Sequence, residues 1–164
     1  MTDKPQRPPW HRLLSPIASS GLGAKVFRPT LHLLDRPLMR LTGGRVSSVV
    51  GYPSLLLTTT GAKSGRPRTV PLLYVDIGDR LGIIGSRFGS EKHPGWYHNL
   101  RADPTATVEI KGKRRRYTTR EADEDERADI WRRAVAMYPG YDKYKARAGR
   151  RIPVIVLEPA PEGD

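Results

Sequence analysis

The residues best suited to bind an anion lie in the segment TTTGAKSGRPRTVPLLY, near the middle of the chain. Gly61 and Gly65 permit backbone conformations in which several N–H groups point into one concavity. Lys63, Arg66 and Arg68 add positive charge around that loop, and such a combination suits a phosphate or a carboxylate. The spacing is not that of a nucleotide-triphosphate loop. The segment therefore predicts either an anion-binding loop or a solvated basic turn.

A second group of polar and aromatic side chains forms the segment HPGWYHNL, which begins at His93. On a helical turn, Trp96 and Tyr97 would face different sides, so that one packs inward while the other faces a groove. Asn99 would share the side of Trp96 and could hydrogen-bond the edge of a planar ring. His93 and His98 lack further ligands at a metal-binding spacing, so no metal site is predicted. Core packing of the aromatic pair is the alternative.

Three tyrosines, Tyr138, Tyr141 and Tyr144, recur at intervals of three in the segment MYPGYDKY. Each offers a flat apolar face and a hydroxyl donor with a pKa of about 10, which suits a pocket for a planar oxidant. The alternative is that they dock the end of a helix onto a sheet. The residue types leave both interpretations open.

The most basic stretch is KGKRRRYTTR, which has six cations in ten residues from Lys111 to Arg120. A hairpin would alternate these charges between two faces. Only Tyr117 is available there to stack on a nucleic-acid base. We therefore favour a solvated hairpin over a nucleic-acid-binding surface.

Short strands must position most of these groups. Pro71 lies inside one of them and indicates an edge or a bulge there. Strands linked by hairpins favour an antiparallel sheet, and six short strands can close into a barrel. The six predicted strands read SLLLTTT, TVPLLYVDI, LGIIGS, TATVEI, RRRYTTREA and IPVIVLE.

Two helices are predicted among the strands. Asp123 can cap the longer one with Glu126 as its capping-box partner, and the Pro-Gly pair after Tyr138 ends it. A shorter helical turn spans Gly95–Ala102, between two prolines. The apolar residues from Ser19 to Leu41 recur at helical spacing and predict further short helical pieces.

Composition sets the broad class of the protein. The net charge of +12 points to anionic partners, and no apolar run is long enough to cross a bilayer. The absence of cysteine excludes disulfides and thiolate metal sites, and a cytoplasmic protein is expected. We expect one domain of 164 residues. Its predicted parts are a flexible basic arm (1–18), a helical lead-in or lid (19–45), a barrel domain (46–159) and a tail (160–164).

Taken together, these segments resemble the deazaflavin-dependent nitroreductase family of actinobacteria. The resemblance rests on four segments in order: LLLTTTGAKSGRPRTVPLLY, GDRLGIIGS, HPGWYHNLRADP and MYPGYDKY…IPVIVLEP. It implies a mainly β protein with flanking helices, a split antiparallel β-barrel of the type that binds flavin mononucleotide. It also implies coenzyme F-420, an 8-hydroxy-5-deazaflavin with a phospholactyl and polyglutamate tail.

The resemblance further implies which residues hold that coenzyme. Lys63 and Arg68 would hold the anionic tail. Backbone along the loop and the next strand would approach the coenzyme, and two further segments would frame its ring system, with Trp96 and Asn99 at the matching motif positions. Arg87 stands where relatives often have lysine, which keeps the charge but changes its geometry. The implied cofactor-binding residues are Ala62, Lys63, Ser64, Arg68, Thr69, Val70, Pro71, Leu72, Leu73, Ile84, Gly85, Ser86, Arg87, Gly95, Trp96, Tyr97, His98, Asn99 and Tyr141.

The implied reaction is transfer of a hydride from the reduced coenzyme to a planar acceptor, a quinone or a nitroaromatic. Ser86 would hydrogen-bond near the reacting centre, and Tyr138, Tyr141 and Tyr144 would shape the acceptor pocket or supply a proton. Leu73 replaces a tyrosine found in some relatives, which favours a quinone over nitroimidazoles. The basic N-terminal segment would either contact a membrane that contains quinones or cover the barrel.

Two other classes of function stay open at this point. A flavin-mononucleotide- or haem-binding barrel would have the same fold, and a nucleic-acid-binding module would use the KGKRRR hairpin. No nucleic-acid partner is expected under the leading interpretation. Barrels of this kind often dimerise, so a homodimer is a further expectation.

Overall fold

The computed structural model describes residues 51–161 of the chain. The predicted arm (1–18) and helical lead-in (19–45) lie outside these residues, as do the last three positions of the predicted tail. Within the described part, no helix is long and apolar enough to span a bilayer.

Six antiparallel strands form a closed barrel in the order β1-β2-β3-β6-β5-β4, which confirms the predicted fold class. All six predicted strands are present: two match their predicted bounds, and the other four differ by one or two residues at one or both ends. Their bounds are β1 Ser54–Thr60, β2 Pro67–Asp76, β3 Leu81–Ile84, β4 Thr105–Ile110, β5 Lys113–Glu121 and β6 Val154–Pro159.

Among residues 51–161, three α-helices accompany the barrel: α1 Gly95–Ala102, α2 Glu124–Met137 and α3 Gly140–Ala148. The predicted capping box of α2 is present, since the side chains of Asp123 and Glu126 each accept a hydrogen bond from the other's backbone N–H. Helix α3 is not among the predicted helices. The Pro-Gly pair does end α2, but Pro139 also precedes a new helix that begins at Gly140.

The apolar residues form two clusters, one on each side of the strands. The first fills the barrel and includes Leu55, Leu57, Val108 and Leu157, with side chains of α1 closing one end. The second lies between the outer face of the barrel and helices α2 and α3. Strand alternation explains this division, because successive side chains point to opposite faces of a sheet.

Strand β2 is paired on both sides over only part of its length. β1 pairs with Ser54↔Leu73 through Thr60↔Pro67, whereas β3 reaches only Tyr74, Val75 and Asp76. The amide of Tyr74 donates to Pro53 O, so by alternation residue 71 is directed away from β1. Pro71 therefore lies where no ladder hydrogen bond is required, and the predicted edge position is confirmed.

Candidate functional site

The loop between β1 and β2 is closed by its own backbone. The amides of Ser64 and Gly65 both donate to Gly61 O, at 3.1 and 2.7 Å, and the amide of Gly61 donates to Arg66 O at 2.9 Å. The Arg66 amide lies 3.3 Å from Ser64 Oγ. The prediction that several N–H groups point into one open concavity is therefore wrong for the amides of Gly61, Ser64 and Gly65, because backbone oxygens of the loop accept them.

Asn99 joins this loop to helix α1 and to the barrel. Its Oδ1 accepts from the Ala62 amide at 3.0 Å, and its Nδ2 donates to Thr59 Oγ1 at 3.0 Å. Thr59 is almost fully buried, at 2% exposure. The Asn99 side-chain amide is thus committed to fixing the loop, and the loop takes a defined position against α1.

The cations of the loop remain available to a ligand. Lys63, Arg66 and Arg68 are exposed, and among residues 51–161 none of them forms a salt bridge. Other basic side chains of the barrel are paired, such as Arg114 with Glu109 at 2.6 Å. Three positive charges without salt bridges therefore create a positive potential at this end of the barrel, and anion recognition there stays a prediction.

The aromatic pair of α1 packs into the barrel. Trp96 and Tyr97 are both buried, at 7% and 8% exposure. The hydroxyl of Tyr97 donates to Glu121 Oε1 at 2.5 Å, and burial together with this bond raises the pKa of Tyr97. The expectation that one member of the pair faces a groove is therefore wrong. The exposed residues of this segment are Gly95 and His98.

A turn of unusual backbone conformation follows β3. Arg87 and Phe88 have positive φ values of 46° and 57°, which non-glycine residues rarely adopt. Gly89 continues the left-handed course at φ 74° and packs against Tyr144, whose carbonyl oxygen would lie 3.0 Å from an added Cβ. The predicted site residues Ile84, Gly85 and Ser86, which precede this turn, are buried.

Arg150, which the sequence analysis did not single out, fixes the turn after β3 from a distant part of the chain. Its guanidinium donates to Gly85 O and Ser90 O at 3.0 Å each and to Lys92 O at 3.3 Å. It also lies 3.0 Å from Nδ1 of His93. Burial, and then the charge of Arg87, lower the pKa of Arg150. No local pattern marks this residue, because its partners are about 60 positions earlier in the chain.

The three predicted tyrosines lie together at the start of α3. The hydroxyls of Tyr138 and Tyr144 are 3.2 Å apart, and the rings of Tyr138 and Tyr141 meet edge to face at 5.8 Å. Tyr141 and Tyr144 are buried and Tyr138 is half-buried. Burial raises the pKa of both Tyr141 and Tyr144, so both stay protonated at neutral pH. Phe88 contacts Tyr144 edge to face at 5.9 Å, which places the cluster beside the turn after β3.

The structure therefore brings the predicted residues together in three groups. The first is the loop with Asn99, and the second is the turn after β3 with His93 and the tyrosines. The third is the half-buried stretch of β2, which comprises Thr69, Val70, Pro71, Leu72 and Leu73. Trp96 stands apart from them inside the barrel.

The closed six-stranded antiparallel barrel places this chain in the class of split-barrel proteins. Within that class, a family model described as F420H(2)-dependent quinone reductase matches residues 33–159. An F420H(2)-dependent quinone reductase of Mycobacterium tuberculosis is 38% identical over 129 residues, which cover 76% of this chain and 87% of that protein. The chain belongs to this family, and the predicted resemblance is confirmed.

Two solved structures agree with this assignment. One, described as an F420-H2 dependent reductase, superposes with a TM-score of 0.60 and 42% identity, over 65% of this chain and 94% of the other. A second, described as a domain-swapped dimer, gives a TM-score of 0.62 and 38% identity, over 82% and 97% of the two chains. Family membership favours the deazaflavin interpretation over the flavin, haem and nucleic-acid alternatives.

Proposed function

We propose that this protein reduces a quinone, or another planar acceptor such as a nitroaromatic, with reduced coenzyme F-420. The observation that carries the proposal is the site around Lys63 and Arg68 in a chain of this family. There, exposed cations without acidic partners lie on a loop that Asn99 fixes beside the incompletely paired stretch of β2.

The residues present fit the coenzyme's tail. A phosphate followed by several carboxylates needs cations that are not already neutralised, and Lys63 and Arg68 meet that need. Because the amides of Gly61, Ser64 and Gly65 are already bonded within the loop, the side chains would supply most of the attraction. Arg66 lies between them in sequence and would add to the local positive potential.

The coenzyme's ring system would lie near the turn after β3 and the exposed side of α1. When bound, the reduced deazaflavin supplies a hydride from its C5. The chain's own part is then to orient the two reactants and to exclude water. Ser86, held in place through the carbonyls that Arg150 binds, would donate a hydrogen bond near the reacting centre.

The tyrosine cluster would shape the acceptor side. Tyr138 is the best candidate proton donor of the three, because it is half-buried whereas Tyr141 and Tyr144 are buried. Its hydroxyl, 3.2 Å from that of Tyr144, can exchange a proton with a second phenol. Leu73, on the outer side of β2, would present an apolar surface to the ring of the acceptor.

Assembly and location belong to the same proposal. A relative described as a domain-swapped dimer makes a homodimer a reasonable expectation for this chain. Contact with a membrane through residues 1–18 stays a prediction, since these residues lie outside the described part. A cytoplasmic enzyme that reduces quinones at the inner face of the membrane is the arrangement we infer.

The decisive experiment is a fluorescence titration with coenzyme F-420. Replacing both cations, Lys63→Ala with Arg68→Ala, should weaken binding by at least about tenfold, because each charge-assisted hydrogen bond contributes about 1.5–3 kcal/mol. The matched control is Lys111→Ala with Arg115→Ala, which removes the same charge at the other end of the barrel. Equal affinity in the two double variants would contradict the assignment of the tail site.

A second measurement addresses the acceptor side. Tyr138→Phe should leave coenzyme affinity unchanged and lower kcat with a quinone such as menadione, if its hydroxyl serves the acceptor. Tyr117→Phe, a tyrosine that packs against the barrel interior and not in the cluster that contains Tyr138, is the control and should have no effect on kcat.

A further inference from the structure

A cavity of about 320 Å³ opens at the end of the β4–β5 hairpin. Its lining divides into two chemical kinds. Val108, Ile110 and Tyr117 provide apolar surface, and Lys111, Lys113 and Arg115 provide positive charge.

This cavity lies at the opposite end of the barrel from the site described above. Thr59 pairs with Ala106, near the start of β4, and the cationic loop follows β1 directly. Leu56 pairs with Glu109, near the end of β4, where the hairpin turns. The hairpin at which the cavity opens therefore lies at the other end of β4 from the cationic loop and helix α1.

Strand register explains why apolar and basic side chains meet there. Val108 is opposite Arg115, and Ile110 is opposite Lys113, so the members of each pair share one face of the sheet. That face is the barrel interior, since Val108 is 2% exposed within the core cluster and Ile110 and Tyr117 pack against it. The floor of the cavity is thus continuous with the apolar core, and the cations form its rim.

The cations of the rim are not neutralised. Among residues 51–161, neither Lys111, Lys113 nor Arg115 forms a salt bridge. Arg114, one position away on the outer face, is paired with Glu109 at 2.6 Å. All three residues are exposed, so their charges are hydrated, and together they give the rim of an apolar cavity a positive potential that attracts an anion.

We propose that this cavity binds an amphipathic anion. A carboxylate or phosphate head would lie against Lys111, Lys113 and Arg115, and an attached hydrocarbon or aromatic part would cover Val108, Ile110 and Tyr117. The site is separate from the coenzyme site and does not depend on the proposed reaction.

The test is a titration of the full chain with octanoate, octyl phosphate and octanol, each below its aggregation concentration. Binding is measured through the NMR signals of the methyl groups of Val108 and Ile110. Both anions should bind saturably, and octanol should bind at least about tenfold more weakly, since it lacks the charge-assisted contacts. The preference between octanoate and octyl phosphate identifies the head group that the rim favours.

Two adjacent arginines provide the matched variants. Arg115→Gln should weaken binding of the preferred anion about tenfold, whereas Arg114→Gln, on the opposite face, should change it less than about twofold. Three results would each overturn the proposal. Octanol could bind as tightly as the two anions, the two variants could lose the same affinity for the preferred anion, or neither methyl signal could show a saturable shift. Coenzyme titration of the Arg115→Gln variant should be unchanged, so failure here is separable from failure of the proposed function.

Discussion

Nη1 of Arg150 lies 3.0 Å from Nδ1 of His93. A guanidinium has donors only, so His93 must accept through Nδ1 and keep its proton on Nε2. Burial lowers the pKa of His93, and the charges of Arg150 and His98 lower it further. The neutral imidazole is therefore part of the clamp that fixes residues 85–93.

This clamp should weaken in acid. The folded pKa of His93 lies below its unfolded value of about 6.5, so the unfolded chain binds more protons between these two values. The contribution of His93 to stability is fully present above about pH 6.5 and is lost as the pH falls through the folded pKa. Urea unfolding at pH 7.5 and 5.5 should show this loss for the native chain. His93→Asn, which accepts a bond without titrating, should flatten the dependence, and an unchanged slope would contradict the role.

Lysine should not be able to replace Arg150 without a loss of stability. A compact ammonium cannot reproduce the fork that reaches Gly85 O, Ser90 O and His93. We expect Arg150→Lys to lower the free energy of unfolding by about 1.5–3 kcal/mol and to speed amide exchange across residues 85–93. Arg151→Lys, next in sequence and exposed, should change stability by less than about 0.5 kcal/mol. Equal effects of the two changes would rule out the clamp.

Asn99 allows anchoring and charge to be tested separately. Asn99→Leu removes both bonds that join Ala62 and Thr59, and should cost about 1–3 kcal/mol in stability and also weaken coenzyme binding. Asn99→Asp keeps an acceptor for Ala62, and the hydroxyl of Thr59 can donate to it instead. This variant should stay close to native stability but bind the anionic coenzyme less tightly. Native affinity in both variants would show that the loop position does not matter.

Glu126 is the centre of an ion-pair network that should govern acid stability. It accepts from Arg120 at 2.6 and 2.8 Å and from Arg80 at 2.8 Å, and these bonds, those of Arg120 above all, lower its pKa to about 2. A carboxyl group whose pKa is lower in the folded chain stabilises the fold at any pH above its pKa in the unfolded chain. This stabilisation is lost as the pH falls toward the folded pKa of about 2. Glu126→Gln keeps the capping bond to Asp123 but not the charge. It should cost about 1–3 kcal/mol near pH 7 and nothing near pH 2, measured by thermal unfolding.

Local patterns predicted most of the barrel. The strands alternate or form short apolar runs, and the capping box depends on residues three apart, so each feature is visible in a short window of sequence. The position of Pro71 was predictable for the same reason, because a residue without an N–H limits its own pairing. The four segments that resemble the family then indicated that these elements form a split barrel.

The features that sequence reasoning missed depend on contacts that no short window contains. Helix α3 begins at Gly140, where the ring of Tyr138 occupies the space that a side chain would need, and this contact is not visible in the Pro-Gly pair itself. Arg150 meets its partners across about 60 positions of chain. The sequence does not reveal that the amides of Ser64 and Gly65 are already bonded, because their acceptor, Gly61 O, meets them only in the folded conformation of the loop.

The incompletely paired side of β2 has a consequence for association between copies of the chain. Exposed strand edges invite pairing with other strands, which can lead to aggregation. Here the register directs positions 67, 69, 71 and 73 away from β1, and two of these four are prolines. An incoming strand would find no backbone hydrogen-bond donor at Pro67 or at Pro71. The fold can thus keep this edge open to a small molecule while it discourages growth into fibres.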